Sequence, residues 1–285
     1  MILGHKTQIQ YLKKIFEERK IPHALLFSGP EKVGKKQVAF EFCSWILGKN
    51  FKSHPDFLLI EGENVIQIEQ IRELIFKFSL KPIRSNWQIA ILDNAHLMTK
   101  EAQQSFLKTL EEPKTNSVFI LITDYPSLLL PTILSRCQRI NFYPLSKKEV
   151  LNFLKTVKDL NEDEKEIISE ISAGRPGILF DLISNPEKIQ ILRELKNLIE
   201  LPLYKRFQIA KKISESKREK EFLKEWLNYF RYLFLEKVKS KETENSPYSL
   251  SKLKNILEMI QNTIFLLSTT NVNKRLAFEI LMLNL

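Results

Sequence analysis

The sequence predicts an α/β domain built on a mostly parallel sheet, followed by two regions made of helices alone. Three observations carry this. Up to about Tyr143, short β-type runs alternate with helical patterns, the order that gives a parallel sheet with helices on its faces. Several of those runs are nearly continuous in Ile, Leu, Val and Phe, as strands covered on both faces are. After Pro144 the strand signals stop and only helical periodicity remains.

The elements follow in order. Ile9, Leu12, Ile15 and Phe16 recur at helical spacing before a first strand at residues 23–28. Val38, Phe42, Cys43 and Ile46 mark the next helix, with strands at 56–60 and 88–93 behind it. Residues 99–112 place Ala102, Phe106, Leu107 and Leu110 on one helical face and stop before Pro113, which cannot continue a helix. Strands at 118–123 and 139–142 complete the sheet. Beyond it, Ser146 with Glu149 and Asn161 with Glu164 set an N-cap oxygen three residues before a glutamate, a pattern that starts helices. A third short helix is expected after Pro176. Residues 186–285 read as four or five longer amphipathic helices, broken near Leu201-Pro202 and by the polar stretch 241–247. The expected domains are therefore 1–144, 145–185 and 186–285, without repeats.

Composition bounds the function. With 44% hydrophobic, 10% aromatic and 27% charged residues in 285, the chain is globular in type. No apolar run approaches the roughly 20 residues that cross a bilayer, and residues 1–6 lack the apolar core of a signal peptide, so a soluble, cytoplasmic protein with no membrane partner is expected. Cys43 and Cys137 stand far from each other and beside no CxxC or histidine pair, which suggests buried thiols and neither a disulfide nor a zinc site. The net charge of +10 permits contact with a polyanion without establishing it. Its most basic stretch, 211–224, also carries Glu215, Glu219 and Glu221 and reads as a solvated helix face. Only 7 glycines occur, so each is informative.

Four constellations carry chemistry. Gly29-Pro30-Glu31-Lys32-Val33-Gly34-Lys35-Lys36 lies between a strand and a helix and satisfies GxxxxGK, the loop whose backbone N–H groups and lysine cradle phosphate. Its last position departs from the motif. Lys36 stands where a Ser or Thr hydroxyl would ligate Mg²⁺, and an ammonium has no lone pair to give, although its charge can fill a cation's place. In Ile89-Ala90-Ile91-Leu92-Asp93-Asn94, Asp93 ends a strand where an ATPase keeps its Mg²⁺-binding carboxylate, but Asn94 is an amide that cannot accept a proton as a glutamate would. Leu134-Ser135-Arg136-Cys137 precedes the last strand, and Arg136 is placed to reach a neighbouring subunit's phosphate; taken alone it reads more readily as an ordinary surface arginine. Gly174-Arg175-Pro176-Gly177 breaks two helices, with Arg175 facing a nucleotide, an interface or solvent.

These four, in this order, resemble the AAA+ clamp-loader subunits of replicative DNA polymerases, and within them the delta-prime branch of bacterial DNA polymerase III. The resemblance covers nearly the whole chain, through His54-Pro55-Asp56-Phe57, Ile68-Glu69-Gln70-Ile71-Arg72, Lys108-Thr109-Leu110-Glu111-Glu112-Pro113, Leu130-Pro131-Thr132-Ile133-Leu134-Ser135-Arg136-Cys137 and the terminal Asn271-Val272-Asn273-Lys274-Arg275-Leu276. It implies a P-loop (AAA+) α/β domain, a three-helix lid and an all-α C-terminal collar that joins five subunits. Arg136 then matches an arginine finger acting in trans; Gly29, Gly34, Lys35 and Asp93 match a nucleotide-site skeleton, Thr123 a polar sensor and Arg175 a second sensor.

Hydrolysing gamma or tau subunits carry GxxGxGK followed by Thr or Ser, whereas this chain has Lys32 and Lys36 there. The cysteine cluster that binds zinc in many relatives is absent from residues 49–53, so no zinc is carried over. The expectation is a largely non-hydrolysing stator that assembles with gamma/tau and delta subunits and helps position the sliding clamp and primer-template DNA, with ATP or ADP binding without hydrolysis left open. Its alternatives are a hydrolysing clamp-loader ATPase and an autonomous DNA-binding protein. Arg72 and Arg84 are candidate DNA contacts by resemblance, and ordinary solvated arginines equally well.

Overall fold

The structure is a computed structural model that describes residues 2–62, 65–113, 116–158, 160–216, 218–239, 248–270 and 272–285. The polar stretch 241–247 and Asn271 lie outside the described residues. The chain divides into two compact units, one of Met1–Leu145 with Arg175–Gly177 and one of Ser146–Gly174 with Ile178–Leu285.

In the first unit, β1 (Ala24–Ser28), β2 (Phe57–Glu61), β3 (Gln88–Asp93), β4 (Ser117–Thr123) and β5 (Gln138–Asn141) form a five-stranded sheet in the order β2-β3-β4-β1-β5. Every pairing is parallel, and Leu26 of β1 stands opposite Leu121 of β4 and Arg139 of β5. Each strand falls within one residue of its expected bounds at either end. Buried on both faces, β1 and β4 have no solvated side whose polar residues would break the apolar run.

Side chains alternate across the sheet and feed two cores. Leu25, Phe27, Ile89, Ile91 and Ile120 meet Leu12 of α1 (Lys6–Glu17) and Val38 and Phe42 of α2 (Lys35–Leu47). On the other face, Leu26, Ala90, Leu92, Phe119 and Leu121 meet Leu74 and Phe78 of α3 (Ile68–Ser79), Phe106 of α4 (Lys100–Glu111) and Ile133 of α5 (Pro131–Leu134). Burying a side chain such as Phe42 or Phe106 contributes about 1.5–3 kcal/mol.

Helix α3 was not among the elements expected from periodicity, although Ile68, Ile71, Leu74, Ile75 and Phe78 all pack into the second core. A reciprocal capping box between Gln67 and Gln70 opens it. Thr99 caps α4, its hydroxyl accepting from the Ala102 N–H at 3.1 Å.

The second unit is helical throughout its described residues. It holds α6 (Lys147–Leu154), α7 (Glu162–Ser172), most of α8 (Pro176–Ser184), α9 (Pro186–Glu200), α10 (Leu203–Glu215), α11 (Glu219–Lys239), α12 (Leu250–Thr269) and α13 (Lys274–Asn284). Capping boxes at Ser146–Glu149 and Asn161–Glu164 start α6 and α7, and a helix follows Pro176, as the sequence indicates. Trp226 and Phe278 meet edge to face at 6.2 Å in its core. The Arg206 guanidinium donates to the carbonyls of Leu201 (2.9 Å) and Ile199 (2.6 Å), closing the turn between α9 and α10.

No described helix is long and apolar enough to cross a membrane, and no cluster of three or more metal-ligating side chains occurs among the described residues. Both cysteines are buried, and burial pushes the Cys137 thiol up to about 12 and Cys43 higher still.

Candidate functional site

In a parallel sheet the carboxyl ends of the strands share one edge, where loops can converge on a ligand. At that edge β1 runs into the loop from Gly29 to Gly34, and β2, β3 and β4 end at Glu61, Asp93 and Thr123. The loop needs its glycines. Gly29 has φ 154°, and a Cβ there would lie 2.2 Å from the Phe142 carbonyl oxygen. Gly34, at φ 105°, caps α2. Lys32 also sits in the left-handed region, at φ 62°, a conformation that costs a side-chain-bearing residue roughly 1–2 kcal/mol. Its carbonyl accepts the Gly177 N–H at 2.8 Å, and His5 Nε2 stands 2.6 Å from the Val33 carbonyl.

Lys35 is only 5% exposed, and its ammonium is fully engaged. It donates to the carbonyls of Gly29 and Pro30, both at 2.7 Å, and to Asp124 Oδ1 at 2.6 Å. Lys36, one residue on, turns to the neighbouring strands. Its ammonium lies 2.9 Å from Asp93 Oδ2 and also pairs with Glu61 Oε1. Burial works against that charge, but the hydrogen bonds to Glu61 and Asp93 outweigh it and raise the lysine above its ordinary pKa.

Asn94 has φ 54°, and its side-chain amide donates to the Gly62 carbonyl at 3.1 Å. Thr123 is fully buried; its hydroxyl stands 3.2 Å from His96 Nδ1 and accepts the Tyr125 N–H at 3.1 Å. Burial holds His96 below its ordinary pKa against the pull of Asp124.

The structure does not bring Arg136 into this group. It lies between α5 and β5, one third exposed, donates through Nη1 to the Thr132 carbonyl at 2.9 Å, and pairs with Glu111 near the end of α4. Buried Gln103 of α4 steadies the approach, accepting the Leu130 N–H at 2.8 Å and donating to the Leu128 carbonyl at 3.3 Å. Arg175 is half-buried in the turn before α8 and belongs, with Gly177, to the first unit. Arg72 and Arg84 are exposed.

The residues around the loop do not fit the magnesium-bound nucleotide of a hydrolysing P-loop. That ion takes a Ser or Thr hydroxyl and the strand-end carboxylate, whereas here Lys36 offers no lone pair and its ammonium already holds Asp93. Sequence reasoning missed Asp124, Glu61 and His5. A carboxylate directly after the apolar run of β4 was a signal for Asp124; Glu61 had none, because its relation to Asp93 arises from the β2–β3 register, in which the two are direct partners.

A family model described as "DNA polymerase III, delta subunit" matches residues 4–146, the span that holds the sheet, the loop and Arg136. The chain belongs to that family. Other relatives of this delta-family chain include the replication factor C small subunit of Aeropyrum pernix, 34% identical over 180 residues, or 61% of this chain and 54% of that protein. The DNA polymerase III subunit gamma of Buchnera aphidicola is 28% identical over 223 residues, 70% of this chain and 61% of the other. The chain spans about half the length of the curated relatives it matches first. Among solved structures, the Thermotoga maritima RuvB Holliday junction branch migration motor aligns with a TM-score of 0.51 at 16% identity, covering 96% of this chain and 87% of the other, a likeness of fold.

Proposed function

We propose that the chain is a largely non-hydrolysing, delta-prime-type subunit of a cytoplasmic bacterial clamp loader. The observation that carries this is Asn94. Next to Asp93, where a hydrolysing relative needs a carboxylate to polarise water, there is an amide already committed to the Gly62 carbonyl. In this reading residues 145–185 act as lid and 186–285 as a collar joining gamma/tau and delta subunits in a five-membered ring. Family membership and the relatives named as replication factor C and polymerase III subunits support that setting.

The chain then acts through Arg136. A guanidinium offered to ATP bound by an adjacent subunit stabilises the charge that builds during phosphoryl transfer, and this does not require turnover in its own loop. The assembled complex would hold a sliding clamp and primer-template DNA.

Steady-state ATPase measurements test the proposal. The purified chain is expected to show no turnover sensitive to Lys35→Ala, while a complex reconstituted with candidate loader subunits loses ATPase when it carries Arg136→Ala. Turnover by the chain alone that Lys35→Ala abolishes would identify an ATPase instead.

A further inference from the structure

Strand β2 is an open edge of the sheet. It pairs only with β3, through bonds that include the Ile89 N–H to the Asp56 carbonyl (2.9 Å) and the Gly62 N–H to the Asp93 carbonyl (3.2 Å). Peptide groups alternate in direction along a strand, so with residues 56 and 62 turned to β3, Leu59 and Glu61 aim their N–H and C=O groups away from the sheet. Among the described residues none bonds those four groups. At the opposite edge, by contrast, the Gln8 side chain donates to the Asn141 carbonyl at 2.8 Å.

A groove of about 550 Å³ runs along β2, bordered by Phe57, Leu58, Leu59 and Glu61 of the strand and by Phe40 of α2 and Lys52. Leu58 and Leu59 pack against different cores on opposite faces of the sheet, so a groove that touches both follows the backbone edge and not one face. We propose that this edge receives an extended acidic segment of a partner protein, which adds to the five-stranded sheet as a further strand beside β2.

Charge selects the occupant. Glu61 is already paired with Lys36, whereas the Lys52 ammonium lies over the Phe40 ring, 4.7 Å from its centroid, with no carboxylate partner among the described residues. The groove thus carries an excess cation beside an aromatic face, which suits an incoming strand that alternates carboxylate and apolar side chains. A second copy is the poorer occupant, because edge-to-edge pairing would set like-charged rims together in a chain of net charge +10. The strand itself, Phe57-Leu58-Leu59-Ile60-Glu61, holds no proline or lysine to obstruct backbone pairing.

The probe that tests this is a short capped, fluorescein-labelled peptide of alternating Glu and Val, added to the full chain, with its Lys and Val analogue as control. Fluorescence anisotropy is expected to show saturable binding of the first peptide only. Hydrogen exchange followed by NMR should show the Leu59 and Glu61 amides slowed about tenfold or more while it is bound. Lys52→Glu should weaken binding about tenfold. Leu59→Pro, which removes an outward N–H without touching the β2–β3 ladder, should weaken it by a similar factor. If Leu59→Pro does not fold, Lys52→Glu and the exchange rates decide. No binding of the Glu and Val peptide, equal binding of both peptides, or binding that leaves the two amides unprotected overturns the proposal, as does a dimer of the free chain that protects the same amides. None of these readouts involves ATP turnover, so this inference and the reading of a non-hydrolysing subunit can fail separately.

Discussion

The Asp124 carboxylate lies 2.6 Å from the Lys35 ammonium, and the two side chains are 15% and 5% exposed. The loop lysine is thus neutralised from within the chain, not held ready in solvent. Removing either partner leaves the other charged and largely buried. Asp124→Ala and Lys35→Ala should each lower unfolding stability by about 3 kcal/mol, with the double variant costing clearly less than the sum. Urea unfolding of the four proteins measures the coupling, and strict additivity would mean that the pair is incidental.

Arg136 should behave differently. Its partner Glu111 is about half exposed, and such pairs contribute only about 0–1 kcal/mol. Arg136→Ala should therefore leave the melting profile and the assembly of a reconstituted complex unchanged while lowering its ATPase by at least about tenfold. Unaltered ATPase in an intact complex would remove the finger role.

A carboxylate outside the loop gives the pH prediction. Asp56 accepts backbone N–H groups from Ile83 (2.6 Å), Arg84 (2.8 Å) and Ser85 (2.9 Å), fixing the turn that carries exposed Arg84. Burial pushes this carboxyl up, but the three donors and nearby His54 outweigh it and hold it below its ordinary value. A depressed folded pKa gives stability that is present above the ordinary value near 4 and lost as pH falls through the folded one. Asp56→Asn should be less stable than the unsubstituted protein at pH 7, and the gap in urea midpoint should close only below about pH 4. A gap that stays constant down to pH 2 would exclude the carboxylate as its source.

Gly29 tests the loop's backbone. A methyl group there would meet the Phe142 carbonyl at 2.2 Å, at a φ that disfavours any side chain. Gly29→Ala should destabilise the first unit by about 3 kcal/mol. Fluorescence of Trp45 and Trp87, which pack against the core of that unit, follows the change.

Much of this architecture can be read from the residues alone. The strands announce themselves because Ala24, Leu25, Leu26 and Phe27 are buried on both faces, leaving an apolar run with few competing interpretations. Thr99, Ser146 and Asn161 mark helix starts because capping is local chemistry, complete within four residues. Helix α3 is harder to see, since Gln67 and Gln70 make its capping box in place of the usual Ser or Thr with Glu. The site was legible as positions and not as partners. Lys35 meets Asp124 across 89 residues, and Lys36 meets Glu61 only because the strand order sets β2 beside β3. Such pairings belong to topology, which no local pattern encodes.

Lys32 holds a left-handed turn at φ 62° without the glycine that would adopt it freely. The bend is therefore imposed by what surrounds it, including the Gly177 N–H on the Lys32 carbonyl and His5 beside Val33, and not by the loop's own conformational preference. Form and chemistry are separable here: the mould persists while its side chains are exchangeable. Glycine at 32 and a hydroxyl at 36 would ask for no rebuilding of the main chain, so two side chains separate this loop from one of ordinary P-loop composition.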